Sequence, residues 1–150
     1  MKATARHVAP ASYAQSIEIR EHVVIADEPR DDGGEDLGPS PQELLAASLA
    51  ACTSITMEMY AQRKGWDLGK LEVAVDYAPA ERGCPTIFKL ELRLPACCTE
   101  EQRERLQIVA AKCPVHRLLE GDVMFQDHVT VQRADGSAPA GAGSRPLSHT

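Results

Sequence analysis

The chemistry this chain offers is carried by cysteine. Cys113 opens the run Cys113-Pro114-Val115-His116, where a proline break sets a thiol at the end of one helix and a histidine one turn later. Helix ends are open to partners in a way that helix middles are not. Cys52 lies near the middle of the apolar segment Leu44 to Lys64 and is the one residue there with chemistry beyond packing. If folding brought the two together they would form a dithiol closing a loop of about 60 residues, although spacing by itself leaves that contact open. Each cysteine also has a plain reading as a small buried side chain.

Other constellations are weaker. Cys84, Cys97, Cys98, Cys113 and His116 are zinc-ligand types, but the first three lack the C-x2-C pairing that marks a zinc site, so no metal is expected. Cys52 as nucleophile with His116 as base would suit acyl transfer, yet a thiol in mid-helix lacks adjacent oxyanion donors. Cys97-Cys98 reads as a loop pair rather than a redox centre. His7, His22, His128 and His149 have no ligand-like spacing.

The element that must position Cys52 is announced by Gly38-Pro39-Ser40-Pro41-Gln42-Glu43. Proline suits the first helical position, so a helix is expected from Ser40 or Pro41 to a stop at Gly65, about 36 Å long at about 1.5 Å per residue. Leu45, Leu49, Cys52, Thr56 and Met59 recur at helical steps, and Ala46, Ala47, Ala50 and Ala51 keep the other face small. Such a face admits another backbone, including that of a second copy of the chain. Before this helix, Gln15 to Arg20 and His22 to Ala26 read as strands of an antiparallel meander, the second apolar enough to be buried. The acid-rich run Asp27 to Asp36 reads as a solvated loop.

After the helix, Leu71 to Tyr77 and Ile87 to Leu94 alternate as strands. Thr99-Glu100-Glu101-Gln102 has the spacing of a capping box and opens a second helix with Leu106, Val109, Ala110 and Cys113 on one face. Pro114 breaks it, leaving Val115 to Leu119 as a separate helix or turn. Val123 to Val131 is expected as a last strand, and Arg133 to Thr150 as a flexible tail. The chain reads as one domain over 1–132 with a tail over 133–150.

A formal charge of −6 and a pI near 5.3 argue against nucleic acid or an anionic membrane surface as the main partner. No stretch reads as the 18 or more apolar residues of a span, no leader pattern opens the chain, and a cytoplasmic location is expected. Five cysteines in an ordinary composition point to free or redox-active thiols rather than a disulfide framework.

Three stretches together resemble the OsmC-like family of osmotically inducible and organic hydroperoxide resistance proteins. They are Gly38 to Leu45 with Ala50-Ala51-Cys52-Thr53, then Tyr60-Ala61 with Lys64-Gly65-Trp66, and Ile108 to His116. The likeness runs from about Val24 to Thr130 and is greatest to the generic branch of that family. It implies an α+β fold of two interlocked subunits, a homodimer with its active sites at the interface. It also implies a thiol-dependent peroxidase without metal or other cofactor, acting on a small-molecule hydroperoxide and reset by an external dithiol reductant. Cys52 would be the peroxidatic residue and Cys113 the resolving one, joined as a disulfide in the cycle. Family members carry a glutamate ten residues before the peroxidatic cysteine; here that place holds Gln42, and Glu43 is the nearest candidate. Arg20 and Arg30, with Arg6 behind them, are candidates for the thiolate-holding arginine. Leu49, Ile55 and Met59, beside Leu45 and Met57, would line an apolar substrate site. The alternative is a non-enzymatic dimeric thiol protein that binds a small apolar ligand or senses oxidants.

Overall fold

A computed structural model describes residues 1–129. Its order is β1 (Ala3–His7), β2 (Gln15–Ile19), β3 (His22–Ala26), a short 3-10 turn (Arg30–Asp32), α1 (Pro41–Lys64), β4 (Glu72–Ala78), β5 (Ile87–Arg93), α2 (Glu100–Ala110) and α3 (Pro114–Glu120). Strands β1, β2 and β3 form an antiparallel meander, and β4 pairs with β5 in a second antiparallel sheet. The α+β class is as the sequence predicts.

Helix α1 forms where its ends are best satisfied. Ser40 Oγ accepts the Glu43 N–H at 3.3 Å, and the Ser40 N–H donates back to Glu43 Oε2 at 2.7 Å. Gly65, at φ 68°, closes the other end, where the Trp66 N–H reaches the Ala61 carbonyl at 2.9 Å. The buried line is Ala46, Leu49, Thr53, Met57 and Ala61. It is rotated from the expected stripe: Leu45 and Met59 are exposed, and Ala46 is buried instead. The reason is the partner surface, because β4, α2 and α3 all pack against one side of α1. The core is built there from Met57, Ala61, Leu68, Cys98, Leu106, Val109 and Ala110, with Tyr60 edge-on to Trp66 at 5.6 Å.

Only 22% of the most apolar stretch of α1 is buried within the chain, and by length and composition the helix meets the test for a membrane span. This corrects the expectation that no stretch approaches one. Apolar side chains and alanines dominate between the charges at its ends, as they also do in the core helix of a water-soluble protein.

Two further expectations are corrected. Strand β3 is the edge of its sheet rather than a buried strand, with Val23 63% exposed, because no element among the described residues covers that face. The segment from Val123 to Val129 is not a strand: Met124 and Phe125 are exposed and no ladder partner is present among the described residues. Alternation alone does not make a strand; the segment must also run alongside an edge it can pair with, and this one runs along none among the described residues. Residues 130–131 of that segment and the tail 133–150 lie outside the described residues.

The loop from 27 to 39 is an organised seat for α1. Asp27 is buried, and its carboxylate accepts the N–H groups of Glu28 at 2.9 Å, Glu35 at 3.0 Å and Leu37 at 3.2 Å. Burial pushes this carboxyl up, but the N–H groups of Leu37, Glu35, Glu28 and Asp36 outweigh it, and the net displacement is below the ordinary carboxylate value. Gly34 and Gly38 pass so close to the Glu28 and Ile25 carbonyls that a Cβ at either would collide with backbone. Thus Asp27 departs from the solvated reading of the acid run.

Candidate active site

The break between α2 and α3 delivers Cys113 onto α1. The Ala110 carbonyl accepts the Cys113 N–H at 3.3 Å, and Pro114 then starts α3 with Cys113 as its N-cap. Cys113 Sγ accepts two donors, the His116 N–H at 3.2 Å and the Thr53 hydroxyl at 3.5 Å. Thr53 and Cys113 are both fully buried. Thr53 is the residue after Cys52, so Cys113 is held against the turn of α1 that carries the other thiol. Cys52 itself is half-buried with a free thiol, and its carbonyl accepts the Thr56 hydroxyl at 2.7 Å.

Beside this contact lies a cavity of about 480 Å³. Leu45 and Leu49 form its α1 wall, Tyr77, Phe88 and Leu90 its sheet wall, and His116, Leu119 and Glu120 its α3 wall. Leu45, Leu49 and Cys52 are four and three residues apart along one helical stripe, but Cys52 itself is not among the residues that line the cavity. Its size and apolar lining suit a small organic molecule. At its α3 wall His116 Nε2 stands 3.3 Å from Glu120 Oε1, and His116 Nδ1 is buried without a hydrogen-bond partner.

The other expected site residues are distributed as follows. Leu49 is in the cavity wall, whereas Ile55 and Met59 are exposed on α1 and lie outside that wall. Glu43 sits nine residues before Cys52, about 180° around the helix at ~100° per residue, and it borders a different groove with Ala46, Ala47, Ala50 and Val75. Its carboxylate is engaged by the Ser40 N–H and hydroxyl, which hold its pKa below the ordinary carboxylate range. Arg20 occupies the β2–β3 turn at φ 56°, and Arg30 lines a small groove with Gly34, Glu35 and Leu37. Neither is in the wall of the large cavity. Arg6 pairs with Glu18 at 2.6 Å across β1 and β2.

The remaining cysteines scatter. Cys84 and Cys97 are exposed, and Cys98 is buried in the core, where burial and then the neighbouring Cys97 raise its pKa. Among the described residues no three histidine, cysteine or carboxylate side chains gather as a metal site would require. Sequence reasoning missed Thr53, the sheet wall of the cavity and the Glu120 partner of His116. The spacing of His116 and Glu120, four residues on a helix, was the available signal for the last.

Residues 33–126 match the family described as OsmC-like protein. The chain belongs to the OsmC-like family. An uncharacterised protein of Acinetobacter baylyi is 29% identical to this OsmC-like chain over 89 residues, 57% of this chain and 62% of that protein. The chain thus spans less than two thirds of that relative's length. Among solved structures, an OsmC-like protein from Mycoplasma pneumoniae is 20% identical with a TM-score of 0.67, covering 80% of this chain and 86% of that one. The organic hydroperoxide resistance protein OhrB of Bacillus subtilis is 21% identical with a TM-score of 0.57, over 81% and 90%. An organic hydroperoxide resistance protein from Legionella pneumophila is 22% identical with a TM-score of 0.57, over 80% and 88%. These likenesses establish the fold of the OsmC-like chain.

Proposed function

We propose that this OsmC-like protein is a thiol-dependent peroxidase for organic hydroperoxides. The observation that carries the reading is the Thr53–Cys113 contact, which keeps one thiol against the helical turn that bears the other. A thiolate at Cys52 attacks the terminal peroxide oxygen, the O–O bond breaks, and the sulfur becomes a sulfenic acid. Cys113 condenses with it to a disulfide, water leaves, and an external dithiol restores both thiols. The apolar cavity, whose lining holds no lysine or arginine, favours bulky alkyl hydroperoxides over hydrogen peroxide.

The working unit in this proposal is a homodimer. Ile55 and Met59 on α1, Val23 and Ile25 on β3, and Met124 and Phe125 after α3 are all exposed apolar side chains, more than a 16.3 kDa monomer leaves in water without use. Sedimentation at micromolar concentration should give twice the chain mass; a monomer would remove the interface.

The deciding experiment is intact mass after stoichiometric cumene hydroperoxide, with peptide mapping. Wild type should lose two hydrogens at the Cys52 and Cys113 peptides. Cys113→Ser should gain oxygen at Cys52, and Cys52→Ser should consume no peroxide. Oxidation confined to Cys97 and Cys98 would overturn the proposal. A second reading, a dimeric thiol protein that binds a small apolar ligand without turnover, is favoured by one observation: neither Arg20 nor Arg30 joins the cavity wall. Tight binding of an unreactive alkyl alcohol with no Cys52 oxidation would select it.

A further inference from the structure

The large cavity carries a charge bias as well as an apolar lining. Glu120 is the one carboxylate in its wall, and no lysine or arginine lines it. Its contact with His116 Nε2 is made at Oε1, 3.3 Å away, and the side chain is 66% exposed, open to a further partner. An ionised carboxylate only accepts, so that partner must be a donor or a cation. In the sheet wall, Tyr77 on β4 and Phe88 on β5 are cross-strand partners with ring centroids 5.3 Å apart and planes tilted by 50°. Both rings are partly exposed. An aromatic face is electron-rich and attracts a cation within about 6 Å of its centre. Lys64 meets Tyr60 in this way at 5.9 Å, but no described lysine or arginine lies over Tyr77 or Phe88. Strand alternation turns Lys89 to the other face of the sheet, opposite Asp76 in the ladder. The exposed apolar residues assigned above to the dimer contact, such as Ile55 and Phe125, lie outside this wall.

We propose that the cavity is a binding site for an organic ammonium ion with a branched or aromatic apolar body. The body packs on Leu45, Leu49 and Leu90, and the positive charge is answered by the Glu120 carboxylate and by the faces of Tyr77 and Phe88. A carboxylate ligand of the same shape meets the like charge of Glu120, with no cationic side chain in the wall to offset it. The formal charge of −6 on the chain acts in the same direction at longer range. The site stands on the cavity alone and does not rest on turnover at Cys52.

The test holds shape constant and varies charge. The full-length reduced protein is titrated calorimetrically at low salt and about pH 8, where an ordinary imidazole is neutral and a benzylic amine is still charged. The probes are para-isopropylbenzylamine, para-isopropylbenzyl alcohol and para-isopropylbenzoate. The amine should bind about tenfold more tightly than the alcohol, with an exposed ion pair and a cation–aromatic contact each supplying about threefold, and the benzoate should bind most weakly. Glu120→Gln should narrow the gap between amine and benzoate about threefold or more and leave the alcohol unchanged. Phe88→Leu should narrow the gap between amine and alcohol, and Asp76→Asn, on the other face of the sheet, should change neither gap. An amine that binds no better than the alcohol, or no binding of any probe, overturns the proposal. So does an Asp76→Asn effect equal to that of Glu120→Gln, which would mean attraction to the acidic surface in general. Oxidation of Cys52 by cumene hydroperoxide is read separately, so the binding site and the peroxidase reading can each fail alone.

Discussion

The hydroxyl of Thr53 donates to the sulfur of Cys113 at 3.5 Å in a fully buried contact between α1 and α3. Sulfur is a weak acceptor, so the bond guides position more than it stabilises. Thr53→Val keeps the shape and removes the donor. Expected is a loss of about 1 kcal/mol in chemical unfolding and slower Cys52–Cys113 disulfide formation, with more irreversible oxidation of Cys52 by mass. Thr53→Ser should restore both; unchanged disulfide kinetics in Thr53→Val would show that the contact does not aim the thiol.

The reciprocal bonds of Ser40 and Glu43 start α1. Ser40→Ala removes the side-chain acceptor for the Glu43 N–H and should cost about 1 kcal/mol by urea denaturation. Glu43→Gln retains a side-chain acceptor for the Ser40 N–H and should be milder than Glu43→Ala. Indistinguishable midpoints for those two variants would argue against a capping role.

Asp27 gives the fold an acid dependence of known sign. Its carboxyl lies lower in the folded chain than in the unfolded one, so it adds stability above its ordinary value of 3.8 and loses that contribution as pH falls through the lower folded value. Urea midpoints of wild type should therefore drop below about pH 4 more steeply than those of Asp27→Asn. Parallel curves would remove Asp27 from the account.

Gly38 touches the Ile25 backbone where any side chain would intrude. Gly38→Ala should destabilise by about 2 kcal/mol, the cost of forcing an extra carbon into a packed place. The same change at Gly65 meets open space, and there only the left-handed φ of 68° is strained. If both substitutions cost the same in thermal unfolding, close approach is not what Gly38 supplies.

What was legible in the sequence was whatever depends on neighbours along the chain. The Thr99 capping box, the Pro41 start, the Gly65 stop and the Pro114 break are local, and each appears where its residues stand. The rotation of α1 was not legible, because which stripe is buried depends on where β4, α2 and α3 dock. Strand β3 and the segment after Val123 failed for one shared reason: their composition is apolar, but burial needs a covering surface, and none of the described residues provides one. At the site, the Cys-Pro-Val-His run located Cys113 and His116 by motif, while Thr53, Tyr77 and Phe88 became visible only through contacts made far along the chain.

Cys113 caps α3 with its own sulfur, taking the His116 N–H at 3.2 Å. Any bond that draws this sulfur toward another sulfur leaves the first turn of α3 with an unmatched donor. Oxidation state and the winding of one short helix are then two views of a single equilibrium, and a partner able to sense a loosened surface turn could tell spent protein from fresh without ever touching a thiol.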